Sequence, residues 1–308
     1  MLQPMSTPPS PSASPADAPT AQPPAAPHHA TDVPRVGSSL YHALRLTPAQ
    51  HRPALSLWLR CWHELSRIPL DVHDPGVAEA KLGWWRQEVV ETAQGRARHP
   101  LTREWLALPS DEGMAACWPL WQQQLDGLTQ LVHQTRWMDD ASLQRHMQQT
   151  TGAACAVAAH LLGARSEAAT AAAQGLGQGL RQAHQLARLG QDARAGWVMV
   201  GIDLLQSHDV RAHQLSRPPS PMPSGWPALL AALHQRTRGT LQQALDAVHA
   251  LPRAEQQALR PLVYLAHTSL ALSDAVQAAG ETVLHQRIVL TPLRKSWIAQ
   301  QVRWGWLR

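Results

Sequence analysis

Phenylalanine is missing from this 308-residue sequence and tyrosine occurs only twice, so tryptophan, present 13 times, must fill the aromatic positions of any core. An indole N–H is costly to bury without a partner, which predicts that most tryptophans are core and that several lie near the edge of a cavity. Lysine is almost as scarce: Lys81 and Lys295 stand against 25 arginines. Arginine is the better fork for phosphates and carboxylates. The net charge of +5 is small and dispersed, without a basic stripe, so no nucleic-acid partner is expected. Only three cysteines occur, Cys61, Cys117 and Cys155, with neither a CxxC nor a metal-ligand spacing. They read as small buried side chains of a reducing cytosol, and the expected location is cytoplasmic. No window approaches the ~18 unbroken apolar residues that cross a bilayer, which leaves a soluble or peripheral protein.

Residues 1–37 are rich in Pro, Ala and Ser with almost no large apolar side chain. Such a segment cannot offset the entropy of ordering and reads as a disordered tail before one domain over 38–308. It has no basic start followed by an apolar run and its first arginine is Arg35, so it reads as neither a secretory signal nor a transit peptide. From Ser38 onward the pattern is helical. Leu55, Leu59, Trp62 and Leu65 recur at helical spacing after Pro53. The break at Asp74-Pro75-Gly76 opens a helix of about five turns that closes near "GRARHP". Further helices are expected at about 101–108, 112–135, 139–163, 166–189, 226–250, 254–279 and from about 291, an all-α count near ten. Asp139, Asp140 and Ser142 are N-cap candidates for the fifth. One short β-rich piece, "GWVMVGIDLL", and a Pro-rich linker or lid at 216–225 interrupt the series.

The chemistry concentrates in "ARLGQDARAGW", residues 187–197. Two carboxylates at i and i+4 on a helix face the same way and can hold a divalent cation together. Here Asp192 has Arg188 four residues before it.

The segments "SSLYHALRLTPAQHRPALSLWLRCWHEL", "AKLGWWRQEVVETAQGRARHPLT", "LDGLTQLVHQTRWMDDASLQRHMQQTTGAACAVAAHLLG", "LGQDARAGWVMVGIDLLQSHDV" and "VLHQRIVLTPLRKSWIAQQVRW" come in the order and spacing of the squalene/phytoene synthase family, which this chain resembles over about residues 38–305. The Trp-Trp-Arg and Gly-x-Asp-Ala-Arg boxes are the most specific pieces. The resemblance implies the all-α isoprenoid synthase fold, a helical bundle around a central cavity, and an activity that joins two prenyl diphosphates head to head. It also implies Mg2+ held by two acidic motifs on facing helices. The first falls on "HELSR", where His63 and Arg67 replace the outer acids and Glu64 remains. The second falls on Arg188, Gln191 and Asp192, of which Asp192 alone is acidic at the motif positions. A guanidinium about 4 Å from a cation costs roughly 4 kcal/mol at an effective dielectric near 20, so ordinary two-acid magnesium catalysis is not expected. Within the family, "HELSRIPLDVHDPGVAEAKLGWW" resembles a branch related to the mitochondrial complex I assembly factor, which implies a retained fold with catalysis doubtful or absent.

Three readings follow. In the first, the chain is a pseudoenzyme in which Arg188, Arg194 and Arg67 hold a prenyl diphosphate by charge-assisted bonds; in the competing view these arginines are bridged to Glu64, Glu88 or Asp192. The two views predict an arginine-lined pocket and a salt-bridged plug. In the second, catalysis survives, with Glu64 and Asp192 as metal contacts, Arg194 on the diphosphate and Tyr41 and Trp84 facing the cavity. Displaced acids (Asp71, Asp74, Glu88, Glu91 and Asp126) would then assist, against a plainer role in capping and solvation. His133 has no histidine or acid at i+4, and no histidine pair makes a zinc site. In the third, surface matters most: either a protein partner, as for an assembly factor, or peripheral contact with the inner face of a membrane. For the latter, the last helix carries Trp297, Trp304 and Trp306 with Arg294, Lys295, Arg303 and Arg308, a mixture that suits a bilayer interface. The alternative is that Trp297, Ile298 and Trp304 dock on the bundle.

Overall fold

The structure is a computed structural model that describes residues 34–109 and 112–307. Most of the expected disordered tail therefore lies outside the described residues. The helices run in chain order α1 (Ser39–Leu46), α2 (Arg52–Asp71), α3 (Pro75–Ala93), α4 (Pro100–Leu106), α5 (Glu112–His133), α6 (Asp140–Met147), α7 (Ala153–Leu161), α8 (Glu167–Leu186) and α9 (Leu189–Arg194). They continue as α10 (Ile202–Ser207), α11 (Ala212–Ser216), α12 (Trp226–His249), α13 (Arg253–Ala258), α14 (Arg260–Ala279), α15 (Thr282–His285) and α16 (Pro292–Trp304). Two short strands, β1 (Arg136–Trp137) and β2 (Val198–Gly201), pair in parallel.

Local chemistry sets the helix starts. Asp74 Oδ1 accepts from Val77 N, Asp139 Oδ1 from Ser142 N and Ser166 Oγ from Ala169 N, each the third amide past the cap. The expected helix over 139–163 is interrupted by a π-helical turn, Gln148–Gly152, between α6 and α7. The expected helix over 254–279 divides at Leu259, just before Pro261. α8 is the central element and packs on α7, the π turn, α12 and α14.

Tryptophan does build the core. Trp58 of α2, Trp105 of α4 and Trp118 and Trp121 of α5 meet at ring separations of 4.8–5.9 Å. Trp58 Nε1 donates to Ala154 O at 2.9 Å, whereas the buried N–H groups of Trp105 and Trp121 have no acceptor among the described residues. Cys61, Cys117 and Cys155 are buried and form no disulfide with one another, and burial pushes Cys155 up to about 12.

Buried Glu88 is a structural anchor. Its Oε1 accepts from Arg98 N at 2.7 Å, His99 N at 2.8 Å and Thr102 Oγ1 at 2.5 Å, which ties α3 to the start of α4. Glu88→Ala strands all three donors and is expected to cost about 2–3 kcal/mol in urea unfolding, while Glu88→Gln keeps an acceptor and costs about 1. Equal losses for the two variants would contradict this role.

Candidate functional site

Arg181, His184 and Arg188 follow one another at spacings of three and four, along one face where α8 gives way to α9. Arg188 Nε donates to Asp192 Oδ1 at 3.0 Å, with the two side chains only 27% and 19% exposed. Arg181 and Arg287 act on the same carboxylate, and neither has an ion pair of its own among the described residues. One guanidinium, that of Arg188, therefore touches the carboxylate, and two more act on it through their charge. Burial first, and then the field of Arg188, pushes both Arg181 and Arg287 below the usual arginine range. Burial also raises Asp192 in spite of its three cationic neighbours. His184 is held down to about 3 by burial and by Arg181, Arg188 and Arg287, and therefore sits there neutral.

The rest of the Gly-x-Asp-Ala-Arg box is a staple. A Cβ on Gly190 would overlap the backbone of Leu284, so glycine lets α9 press against α15. Arg194 Nη1 donates to Leu284 O at 2.5 Å and Nη2 to His285 O at 3.3 Å. That fixes the end of α15 two residues before Arg287. Behind the cluster, the space lined by Gln182, Gln185, Leu189, Met199, Leu233 and Arg236 measures about 10 Å³, room for one water at most. Gln182 Oε1, both amide atoms of Gln185 and Arg236 Nε are buried there without a hydrogen-bond partner among the described residues. Arg236 Nη1 reaches Asp140 at 2.5 Å.

Glu64, on α2, acts on His99 and Cys61, whereas Arg181, Arg188 and Arg287 act on Asp192. Arg67 pairs with Asp71 at 2.5 Å on the surface. Trp84 and Trp85 both pack about the His99 ring, at 6.1 and 4.5 Å, with Trp85 the more buried. Tyr41 Oη accepts from Arg45 Nη1 at 3.2 Å. Each displaced acid has a local partner: Asp74 caps α3, Glu91 meets Arg96 and Arg98, and Asp126 meets Arg86. His133 meets Glu79 at 3.5 Å.

The sequence profile described as squalene/phytoene synthase matches residues 33–294. The chain belongs to the squalene/phytoene synthase family. No curated protein sequence matches it. Among solved structures, a dehydrosqualene synthase in complex with ligand superposes with a TM-score of 0.69 at 13% identity, covering 87% of this chain and 91% of that one. Squalene synthase HpnC from Alicyclobacillus acidocaldarius superposes with a TM-score of 0.60 at 12% identity, covering 77% and 98%. At such identities the likeness establishes the isoprenoid synthase fold and carries no residue roles.

In this squalene/phytoene synthase family member, Arg188 and Asp192 are brought together as one ion pair, while Glu64 and Trp84 both bear on His99 and Tyr41 meets Arg45. Sequence reasoning missed Arg181, His184 and Arg287. The first two carry a readable signal, since they continue the Arg188 face backwards by two turns. Arg287 arrives from the loop after α15, which local spacing cannot reveal.

Proposed function

We propose that this family member no longer performs metal-dependent prenyl transfer and instead holds the diphosphate of a prenyl diphosphate directly, through Arg181, Arg188 and Arg287, as a cytoplasmic pseudoenzyme of isoprenoid biosynthesis acting through its 38–308 domain. The observation that carries this reading is the ratio of three guanidiniums to one carboxylate at the second acidic motif. Excess cationic charge is stabilised by an anion, and guanidinium forks match phosphate oxygens with strong charge-assisted bonds. Members of the family usually use Mg2+, a hard ion that takes oxygen ligands. Here the motif's one carboxylate is committed to Arg188 and lies in the field of two more arginines, and no group of three or more His, Cys, Asp or Glu that could hold a metal occurs among the described residues. The donor set does not fit the ion. Arg194 serves as a positioning residue, because it fixes the segment that presents Arg287.

Calorimetric titration with farnesyl diphosphate and with inorganic diphosphate, each with and without magnesium, tests the reading. Both ligands are expected to bind without metal, and Arg181→Ala combined with Arg287→Ala to weaken binding at least about tenfold. Magnesium-dependent binding with formation of a head-to-head product would overturn it. The narrow space of about 10 Å³ behind the cluster favours a second reading, a scaffold resembling the complex I assembly factor that acts through a protein partner. For that reading neither ligand binds in either buffer.

A further inference from the structure

α16 presents opposite faces to opposite surroundings. Ile298, Ala299 and Val302 are buried with Ala43 of α1 and Tyr264 of α14. Leu293, Trp297 and Trp304, at i, i+4 and i+11, occupy the outer face and are 82%, 51% and 53% exposed. The sequence-derived alternative, in which Trp297 and Trp304 dock with Ile298, is thus replaced by an outward-facing pair. Gly305 then turns the chain with φ of +77°, a left-handed value that glycine adopts freely. The turn brings Trp306, 65% exposed, back onto Trp304 at 4.8 Å and Trp297 at 6.3 Å. Three indoles thus cluster on the outside of the protein, where a contiguous apolar patch marks an interaction surface.

Beside them lies a recess of about 520 Å³, formed by the end of α12, by α13, by the start of α14 and by the end of α16. His249, Arg253, Gln257, Arg260, Arg303 and Trp304 are among its lining residues, and no acidic side chain among the described residues lines it. Arg253, Arg260 and Arg303 form no ion pair among the described residues. Trp304 borders both features. Among the described residues no helix is long and apolar enough to cross a membrane, so any bilayer contact of this region is peripheral.

We propose that this face docks on a bilayer surface, with the phosphate of an anionic phospholipid in the Arg253–Arg260–Arg303 recess and Trp297, Trp304 and Trp306 in the headgroup region. The charge of the recess selects an anion. The indoles supply an apolar body with a polar N–H, which is the chemistry of the membrane–water interface. The proposal is independent of the Arg181 cluster, and variants there leave it unchanged.

The test is co-sedimentation of the full chain with vesicles of phosphatidylcholine alone or mixed with phosphatidylglycerol, together with tryptophan emission and, separately, titration with glycerol phosphate. Binding to the anionic vesicles with a blue shift is expected, and much weaker binding to the neutral ones. Each of Arg253→Gln, Arg260→Gln and Arg303→Gln should weaken binding about fivefold, and Trp297→Ala with Trp306→Ala should abolish the blue shift. All these side chains lie at the surface or rim, and circular dichroism of the variants checks that the fold is kept. Absence of vesicle binding overturns the proposal. Equal binding to both vesicle types overturns the headgroup assignment, and saturation by glycerol phosphate without vesicle binding assigns the recess to a soluble phosphate ester instead.

Discussion

Acidification from about pH 7.5 to about pH 4.5 is expected to remove roughly 5 kcal/mol of stability through His146 and His184 alone. Burial and Arg181 hold His146 at about 4, and His184 is held at about 3. Both lie below the unfolded value of about 6.5. Above that value the imidazoles are neutral in both states and the fold bears no penalty. Below it, the unfolded chain takes up protons that the fold refuses, so stability falls by about 1.4 kcal/mol per pH unit for each histidine until the folded value is reached. His42, His99 and His160 are shifted the same way. Asp192, raised by burial, opposes the trend. Urea midpoints across this range measure the slope, which His184→Gln should make shallower. A flat profile between pH 7.5 and 5 would show that these imidazoles are solvated.

Gly177→Ala is expected to cost about 3 kcal/mol or more, at the upper end of overpacking penalties. The added Cβ would overlap Thr151 O and lie 2.8 Å from Gly152 Cα. Both neighbours are backbone of the π turn, which cannot rotate away as a side chain can. Gly127 of α5 bears on the same turn from the other side, where its Cβ would meet Thr150. Gly83 and Gly239 also lie within helices, but nothing stands within 4 Å of a Cβ at either. Alanine at Gly83 or Gly239 should therefore stabilise by about 0.5–1 kcal/mol. Thermal unfolding of the three variants makes the comparison, and a Gly177→Ala protein as stable as Gly239→Ala would mean that the π turn yields.

The helices were readable because caps and apolar spacing are local properties. Asp74, Asp139 and Ser166 announce their helices within three residues. The π turn was not readable: Gln148–Gly152 continues the helical pattern, and its altered pairing comes from contact with α5 and α8. Nor was the partner of β2, since the two residues Arg136–Trp137 are too short to show alternation. At the site, Arg188 and Asp192 were linked by i, i+4 spacing alone, whereas Arg287 is supplied by tertiary structure. The direction of α16 was ambiguous because both of its faces carry large apolar residues. Packing on Tyr264 selects the Ile298–Val302 face and leaves the indoles outside.

The division of tryptophan between a sealed interior and an outer rim gives this chain two optical reporters. With no phenylalanine and two tyrosines, its ultraviolet emission comes almost wholly from indole. Trp58, Trp105 and Trp121 are shielded from a dissolved quencher, while Trp297, Trp304 and Trp306 are open to one. A iodide titration therefore silences the rim and leaves the interior, so melting of the bundle and events at α16 can be followed separately in one unlabelled sample.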